Sequence, residues 1–164
     1  MIRTARAEDL ARLLAIETAA AERFRGTAMA FVLDAPPTSA DGYGEALESG
    51  LLFVADLEGE AAGFLAAREM PGALHILEVS VHPDCGRRGL ARALIAHAAN
   101  VALGLQLPLL SLTTDRDIAW NGPLWAKLGF RETDCPPEWL ATILLAERDA
   151  GFDPARRVAM LRAT

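Results

Sequence analysis

Apolar and polar positions along this chain follow two periods, and the changes between them predict the order of its elements. From Glu8 to Phe24, leucines, alanines and a phenylalanine recur at helical spacing, which predicts an amphipathic helix. Three apolar segments follow, Leu51 to Leu57, Ala61 to Ala67 and Leu74 to Val81, with short turns between them. Because short turns favour antiparallel neighbours, these segments predict a three-stranded meander.

The second half of the chain alternates between helices and strands. A helical stripe runs from Arg88 to Leu103, with Gly104 as its stop. The later elements are a strand, two helices and a strand, at Leu109 to Thr113, Asn121 to Leu128, Pro137 to Ala150 and Arg156 to Leu161. With a short strand at Ile2 to Ala5, the order is β-α-loop-β-β-β-α-β-α-α-β. This order predicts a mixed α/β or α+β domain on one central sheet, and residues 1–164 fit a single domain.

One segment interrupts the periodic pattern. Residues Asp34 to Gly44 are rich in proline, glycine, serine and aspartate, which predicts a mobile loop. Tyr43, the only tyrosine of the chain, lies in this segment, and we expect it on the loop surface rather than in a cleft. Glu17 falls on the apolar stripe of the first helix, where we expect it at the margin, reaching water.

Composition narrows the classes of function. A net charge of −6 disfavours nucleic acid and anionic membranes as partners, because both need a basic protein face. No apolar run is long enough to span a bilayer, and the N-terminus lacks the apolar region of a secretory signal, so we expect a cytoplasmic protein. Cys85 and Cys135 lie far apart without metal-ligand spacing, which favours two free thiols and no metal site.

The stretch from Leu77 to Leu94 carries the strongest chemical signal. An apolar strand runs into a turn rich in glycine and arginine, and the turn opens directly onto a helix. Free N–H groups at a helix start bind anions, and Gly89 and Ala91 let a phosphate approach them closely. The neighbouring cations are Arg87, Arg88 and Arg92. The stretch predicts a pyrophosphate cradle, the simpler alternative being a helix start with incidental arginines. The glycine spacings of a Walker P-loop and of a dinucleotide fingerprint are absent.

Two motifs resemble those of the GCN5-related N-acetyltransferase (GNAT) superfamily. Residues Gly86 to Ala91 stand where the family has Gln/Arg-x-x-Gly-x-Gly/Ala, after the strand that ends Val-x-Val-His-Pro-Asp. Residues Trp120 to Phe130 are similar to the family segment Asn-x-x-x-Tyr-x-x-Leu-Gly-Phe. The resemblance implies the GNAT fold, a mixed and mostly antiparallel central sheet flanked by helices, and acetyl-CoA as cosubstrate.

The resemblance also implies roles for individual residues. Backbone groups of Val79, Ser80 and Val81 would pair with the pantetheine arm as with an added strand. Asn121 would contact the cofactor through its side chain, a role compatible with capping the helix that follows. The pyrophosphate would be held by Gly86, Arg87, Arg88, Gly89, Leu90, Ala91 and Arg92.

Two positions depart from the family pattern. Gly86 replaces glutamine or arginine, which removes one side-chain phosphate contact that Arg87 can replace. Trp125 stands where the family usually has a tyrosine, often assigned as the acid that protonates the departing thiolate. An indole N–H donates a hydrogen bond but does not release a proton near neutral pH, so Trp125 would stabilise the thiolate without protonating it. Substitutes for the acid are bound water, Ser80 or Tyr43.

For the general base we favour Glu78, because the family often places a carboxylate on this strand. The alternative is that Glu78 faces solvent or pairs with an arginine. His75 is the reserve candidate, while His82 lies in a turn where the family frequently has a histidine without a catalytic duty. The resemblance implies direct transfer in a ternary complex, and Cys85 has no activating base that would support an acyl-enzyme.

The expected function is therefore acetyl transfer from acetyl-CoA to the primary amine of a small molecule. A non-catalytic acyl-CoA-binding module, which Trp125 favours, and an enzyme acting on protein N-termini or lysines stay open as alternatives. On the substrate side, Glu17 and Asp115 suit a cationic amine, whereas Arg116 suits an amine that carries a carboxylate. The apolar segment Trp139 to Leu145 is compatible with a homodimer interface or with the core.

Overall fold

The computed structural model of the protein describes residues 1–35 and 40–164 and has the predicted mixed α/β fold. The strands are β1 (Ile2–Thr4), β2 (Leu52–Leu57), β3 (Glu60–Met70), β4 (Ala73–Val81), β5 (Leu109–Asp115), β6 (Arg131–Glu132) and β7 (Arg157–Ala163). The α-helices are α1 (Leu10–Ala21), α2 (Gly44–Glu48), α3 (Leu90–Gly104), α4 (Gly122–Lys127) and α5 (Glu138–Asp149). Among the described helices, none combines the length and the apolar character needed to cross a membrane.

The described strands form a seven-stranded sheet with the order β1-β2-β3-β4-β5-β7-β6. The pairs β1–β2, β2–β3, β5–β7 and β6–β7 are antiparallel, and β4–β5 is parallel. The parallel register joins Ala73, Leu74 and His75 to Leu109, Leu110 and Ser111. The sheet is therefore mixed and mostly antiparallel, as the sequence predicts.

The chain divides into two compact units. The first consists of Met1–Arg68 and Ile76–Val101, and the second of Glu69–His75 and Ala102–Thr164. The strand β4 and the helix α3 each contribute residues to both units. The expectation of one domain over residues 1–164 stays a prediction.

In the first unit, helices cover both faces of β2 and β3. Successive side chains of a strand point to opposite faces, so the register partners Val54 and Phe64 share one face and Phe53 lies on the other. Ile16 of α1 is buried in one cluster with Val54 and Phe64. On the opposite face, His97 of α3 packs edge-on against Phe53, with ring centroids 4.8 Å apart.

The predicted helix from Glu8 to Phe24 consists of α1 with a 3₁₀ turn at each end. An ion pair ties its start to β1, because Arg3 donates to both carboxylate oxygens of Asp9, at 2.7 and 2.8 Å. The Arg3 guanidinium holds the pKa of the Asp9 carboxyl below its usual range. Asp9 also accepts the backbone N–H of Arg6 at 2.7 Å, which fixes the first turn.

The predicted loop from Asp34 to Gly44 contains more regular structure than expected. Residues 36–39 lie outside the described residues, while Ala40–Tyr43 form a 3₁₀ helix that leads into α2. The expectation that Tyr43 lies on the loop surface is wrong, because Tyr43 is only 5% exposed. Its ring packs edge-on against Phe64 at 5.3 Å, and its hydroxyl donates to Glu17 Oε2 at 2.9 Å. Glu17 is half-buried, and this bond directs its carboxylate to Tyr43.

In the second unit, a polar cluster ties α5 to β5 and β7. The carboxylate of Glu147 on α5 accepts a hydrogen bond from Thr113 Oγ1 at 2.7 Å and from two nitrogens of Arg157, at 2.8 and 2.7 Å. Arg157 also stacks on the ring of Phe152, 4.4 Å from its centroid. The cluster lets a charged pair sit in a largely enclosed position with its hydrogen-bonding groups satisfied.

Replacing Glu147 with glutamine should lower the free energy of unfolding by about 2 kcal/mol, since Arg157 would keep its charge in a mostly enclosed position without a counter-charge. Urea unfolding of the variant and the parent protein measures the difference. The matched control is Asp149→Asn on the same helix, whose partner Arg148 is half exposed. Exposed pairs of that kind contribute less than about 1 kcal/mol, so equal effects of the two substitutions would contradict this account of the cluster.

Candidate active site

The turn between β4 and α3 exposes its backbone to solvent. Residues 86–89 are all exposed, and a 3₁₀ helix at Pro83–Cys85 precedes them. Arg87 and Gly89 both have positive φ, 60° and 77°. Two left-handed residues so close together turn the chain sharply, so that α3 begins at Leu90. A non-glycine residue in this conformation is strained, and such strain is common at binding sites.

The start of α3 presents backbone donors toward this turn. The N–H of Ala93 donates to the carbonyl of Gly89 at 3.0 Å. The N–H groups of Leu90, Ala91 and Arg92 precede that bond and have no acceptor within the helix. The aligned peptide dipoles add a partial positive charge at the same end.

Three arginines surround these donors. Arg87, Arg88 and Arg92 are exposed, and within the part of the chain that the structure describes none of them forms an ion pair. Elsewhere Arg3 and Arg157 are paired with carboxylates. The turn therefore combines free backbone donors with uncompensated positive charge, an arrangement that suits a polyanion such as a pyrophosphate.

The strand β4 changes from buried to accessible along its length. Residues 73–76 are buried, whereas Leu77 is 39% exposed and Glu78 and Val79 are half-buried. An exposed leucine within a strand that begins in the core marks a stretch that the described residues leave partly uncovered. That stretch leads directly to the turn before α3.

Glu78 and Ser80 contact each other on this stretch. They lie two residues apart on one strand, so their side chains share a face. The Ser80 hydroxyl donates to Glu78 Oε1 at 2.7 Å, and Ser80 is buried. The carboxylate of Glu78 therefore bends along the strand toward Ser80. The role of Glu78 as a general base stays a prediction.

The strand β3 approaches β4 very closely beside Ser80. A methyl group at Gly63 would lie 2.9 Å from the carbonyl oxygen of Ser80 and 3.0 Å from Val81 Cγ2. Just beyond, the N–H of His82 donates to the carbonyl of Ala62 at 2.9 Å. The backbone at residues 80–82 is thus fixed from the side of β3.

The other two predicted site residues, Asn121 and Trp125, belong to the second unit. Asn121 directly precedes α4, but its side chain makes no capping hydrogen bond. Only glycine fits at the next position, because a methyl group at Gly122 would lie 2.7 Å from the carbonyl oxygen of Arg116. Trp125 is half-buried and packs edge-on against Phe130, with ring centroids 5.9 Å apart.

The histidines have structural surroundings. His75 is 3% exposed, its Nδ1 lies 3.0 Å from Ser111 Oγ, and its ring packs edge-on against Trp139 at 5.6 Å. An imidazole so enclosed is a poor reserve candidate for a base that must meet substrate. His82 accepts the N–H of Asp84 through Nδ1 at 3.3 Å and so caps the short 3₁₀ helix.

The residues expected on the substrate side are engaged within the protein. Asp115 accepts the N–H groups of Asp117 and Ile118 and pairs with Arg156 at 3.0 Å. Arg116 pairs with Glu132 at 2.7 Å. These contacts within the protein account for the charges of Asp115 and Arg116 without any amine substrate.

Sequence reasoning missed the hydrogen bond from Ser80 to Glu78 and the close contact at Gly63. The spacing Glu-x-Ser on a strand was the available signal for Ser80, because it places two polar groups on one face.

Comparison with known proteins now decides the family. The model of the acetyltransferase (GNAT) family matches residues 7–130, which is most of the chain. The protein belongs to the GNAT acetyltransferase family. The family expected from the two sequence motifs is therefore confirmed.

Solved structures similar to this GNAT protein support the fold along its whole length. PaiA N-acetyltransferase from Thermoplasma acidophilum, in complex with coenzyme A, has a TM-score of 0.80 and 14% identity, covering 100% of this chain and 98% of its own. The ribosomal-protein-S18-alanine N-acetyltransferase from Escherichia coli has a TM-score of 0.66 and 20% identity, covering 99% and 92%. N-acetylglutamate synthase from Neisseria gonorrhoeae, complexed with coenzyme A and N-acetyl-glutamate, has a TM-score of 0.74 and 18% identity, covering 99% and 34%. The predicted GNAT fold is confirmed, and the expected acetyl-CoA agrees with the family.

Replacing Gly63 with alanine should lower the free energy of unfolding by about 2 kcal/mol, because the added methyl meets the backbone of β4 and forces the two strands apart. Gly44→Ala is the matched control. Apart from the local backbone, no atom of the described residues lies within 4 Å of a methyl there, and alanine favours the helix. Urea unfolding compares the two variants. A Gly63 variant as stable as the Gly44 variant would show that the strands are not in tight contact.

Proposed function

We propose that this protein transfers the acetyl group of acetyl-CoA to the primary amine of a small molecule, directly within a ternary complex. One observation carries the proposal: among the described residues, Arg87, Arg88 and Arg92 are exposed without carboxylate partners, next to N–H groups in the first turn of α3 that have no acceptor within the helix. Membership in an acetyltransferase family supports acetyl-CoA as the anion that fits there. Coenzyme A in two similar structures supports it further.

In this proposal, the accessible stretch of β4 binds the pantetheine arm. Backbone groups of Val79, Ser80 and Val81 pair with its amides as with an added strand, and exposure beginning at Leu77 supports this placement. Asn121 contacts the cofactor through its side-chain amide, a role that the missing capping bond supports. The pyrophosphate is held by Gly86, Arg87, Arg88, Gly89, Leu90, Ala91 and Arg92.

Reversing the charge of Arg88 tests the cradle. Arg88→Glu should weaken acetyl-CoA binding by about 100-fold or more, because a charge-assisted contact becomes a repulsion. Isothermal titration with acetyl-CoA measures the dissociation constant, and the contribution of Arg88 should shrink at high salt. The control is Arg131→Glu, a charge reversal at an exposed position of β6. Equal affinities of the parent and the Arg88 variant would contradict the proposed cradle.

The chemistry requires a neutral amine and an oriented thioester. Glu78 takes a proton from the bound ammonium, and the neutral amine nitrogen attacks the thioester carbon. The carbon–sulfur bond then breaks to release the thiolate of coenzyme A, and the nitrogen gives its second proton to water, which leaves a neutral amide. A thiol with a pKa of about 8.5 leaves readily as an anion, so the lack of a phenol at Trp125 costs little. Deprotonating the amine is then the step for which the protein must supply a group.

Glu78→Gln should lower kcat by about 100-fold and leave the affinity for acetyl-CoA unchanged, because the amide cannot accept the proton. Thiol release is followed with spermidine, glutamate and a peptide with N-terminal alanine as acceptors. Glu69→Gln, at an exposed position of β3, is the matched control. Turnover of the Glu78 variant at the parent rate would exclude Glu78 as the base.

The same acceptor panel separates the alternatives. The similar structures include an enzyme named for a ribosomal protein and one named for N-acetylglutamate, so the fold accommodates acceptors of both kinds. Preference for the peptide would move the proposal to a protein N-terminal acetyltransferase. Tight acetyl-CoA binding without turnover on any acceptor would favour the non-catalytic module that Trp125 suggests, and gain of turnover in Trp125→Tyr would identify the missing acid as the reason.

The proposal places the enzyme in the cytoplasm, since the free thiols Cys85 and Cys135 suit a reducing compartment. It includes a homodimer formed through the segment Trp139 to Leu145. Leu140 is buried but Leu145 is 52% exposed, so only part of this segment belongs to the core. Sedimentation at a monomeric mass would exclude the dimer.

A further inference from the structure

We infer that Ser80 is a positioning residue that holds the carboxylate of Glu78 in the orientation needed to take the proton from the amine. The inference rests on the proposed function. It gives the side chain of Ser80 a task separate from the backbone pairing expected of this stretch of β4.

The contact between the two side chains is short and sheltered. The Ser80 hydroxyl lies 2.7 Å from Glu78 Oε1, and Ser80 is 6% exposed. An ionised carboxylate only accepts hydrogen bonds, so the hydroxyl is the donor. The distance is typical of a hydroxyl bound to a charged oxygen, and burial of the serine limits competition from water.

The two partners differ in rigidity. Ser80 has a short side chain on backbone that β3 confines, because its carbonyl oxygen would lie only 2.9 Å from a methyl at Gly63. Glu78 is half-buried, and a glutamate is among the side chains that lose most rotamer freedom on becoming ordered. The fixed hydroxyl therefore orders the flexible carboxylate, rather than the reverse.

The contact with Ser80 is compatible with Glu78 acting as a base. A carboxylate offers about four lone-pair sites, and the hydroxyl of Ser80 takes only one of them. The same contact argues against Ser80 as the acid for the departing thiolate, because its proton is directed to Glu78. Ser80 thus acts through Glu78 and not on the substrate.

A double-mutant cycle tests this assignment. Ser80→Ala alone should lower kcat by about 10-fold, because the carboxylate samples unproductive rotamers, while the dissociation constant for acetyl-CoA stays within about twofold. In the Glu78→Gln background the same substitution should cause no further loss of kcat. Ser80→Thr, which keeps the hydroxyl, should recover most of the rate. Thermal unfolding of each variant shows whether the substitution disturbs the fold.

Three results would overturn the inference. The first is an equal loss of kcat from Ser80→Ala in the parent protein and in the Glu78→Gln variant. The second is weaker acetyl-CoA binding by Ser80→Ala at unchanged kcat, and the third is a parent-like rate in Ser80→Ala. Each leaves the proposed function standing if Glu78→Gln is impaired. No turnover by the parent protein on spermidine, glutamate or the alanyl peptide would instead overturn the proposed function, and the inference with it. An unimpaired Glu78→Gln would overturn the base assignment and the inference together.

Discussion

The position of β4 depends on its contact with β3 at Gly63. At that point no side chain separates the two strands, and the backbone of Ser80 and Val81 lies against the glycine. The contact confines one side of β4, while Leu77 is exposed and Glu78 and Val79 are half-buried. A strand held in this way is rigid and yet offers surface to a ligand. Rigid backbone supports precise placement of polar groups, which acyl transfer between two bound substrates requires.

The arginines of the protein differ in whether they are paired with carboxylates. Arg3 and Arg157 serve the fold, since each is bound to a carboxylate that ties a helix to a strand. The arginines at the start of α3 have no such partner among the described residues, although the chain as a whole is acidic. Three cations without a counter-charge among the described residues are therefore close together in the sequence at one turn of an acidic protein.

The sequence predicts those features that depend on long periodic segments or on backbone chemistry. The meander β2–β4, the helix α3 and the glycine–arginine turn belong to this group. The helix α2 and the strand β6, of five and two residues, are too short to show a period, and tertiary pairing determines them. Tyr43 was mispredicted because turn-rich composition describes backbone freedom and not the reach of an aromatic side chain into the core. The bond between Ser80 and Glu78 depends on a rotamer, which alternation along a strand does not specify.

The left-handed conformation of Arg87 has a consequence for how this turn can vary. Its φ of 60° is one that glycine adopts without strain. Glycine at this position would relax the backbone and at the same time remove a cation from the proposed anion site. Stability of the turn and anion binding therefore make opposite demands on position 87. Glycine there would stabilise the fold and weaken binding, whereas arginine does the reverse.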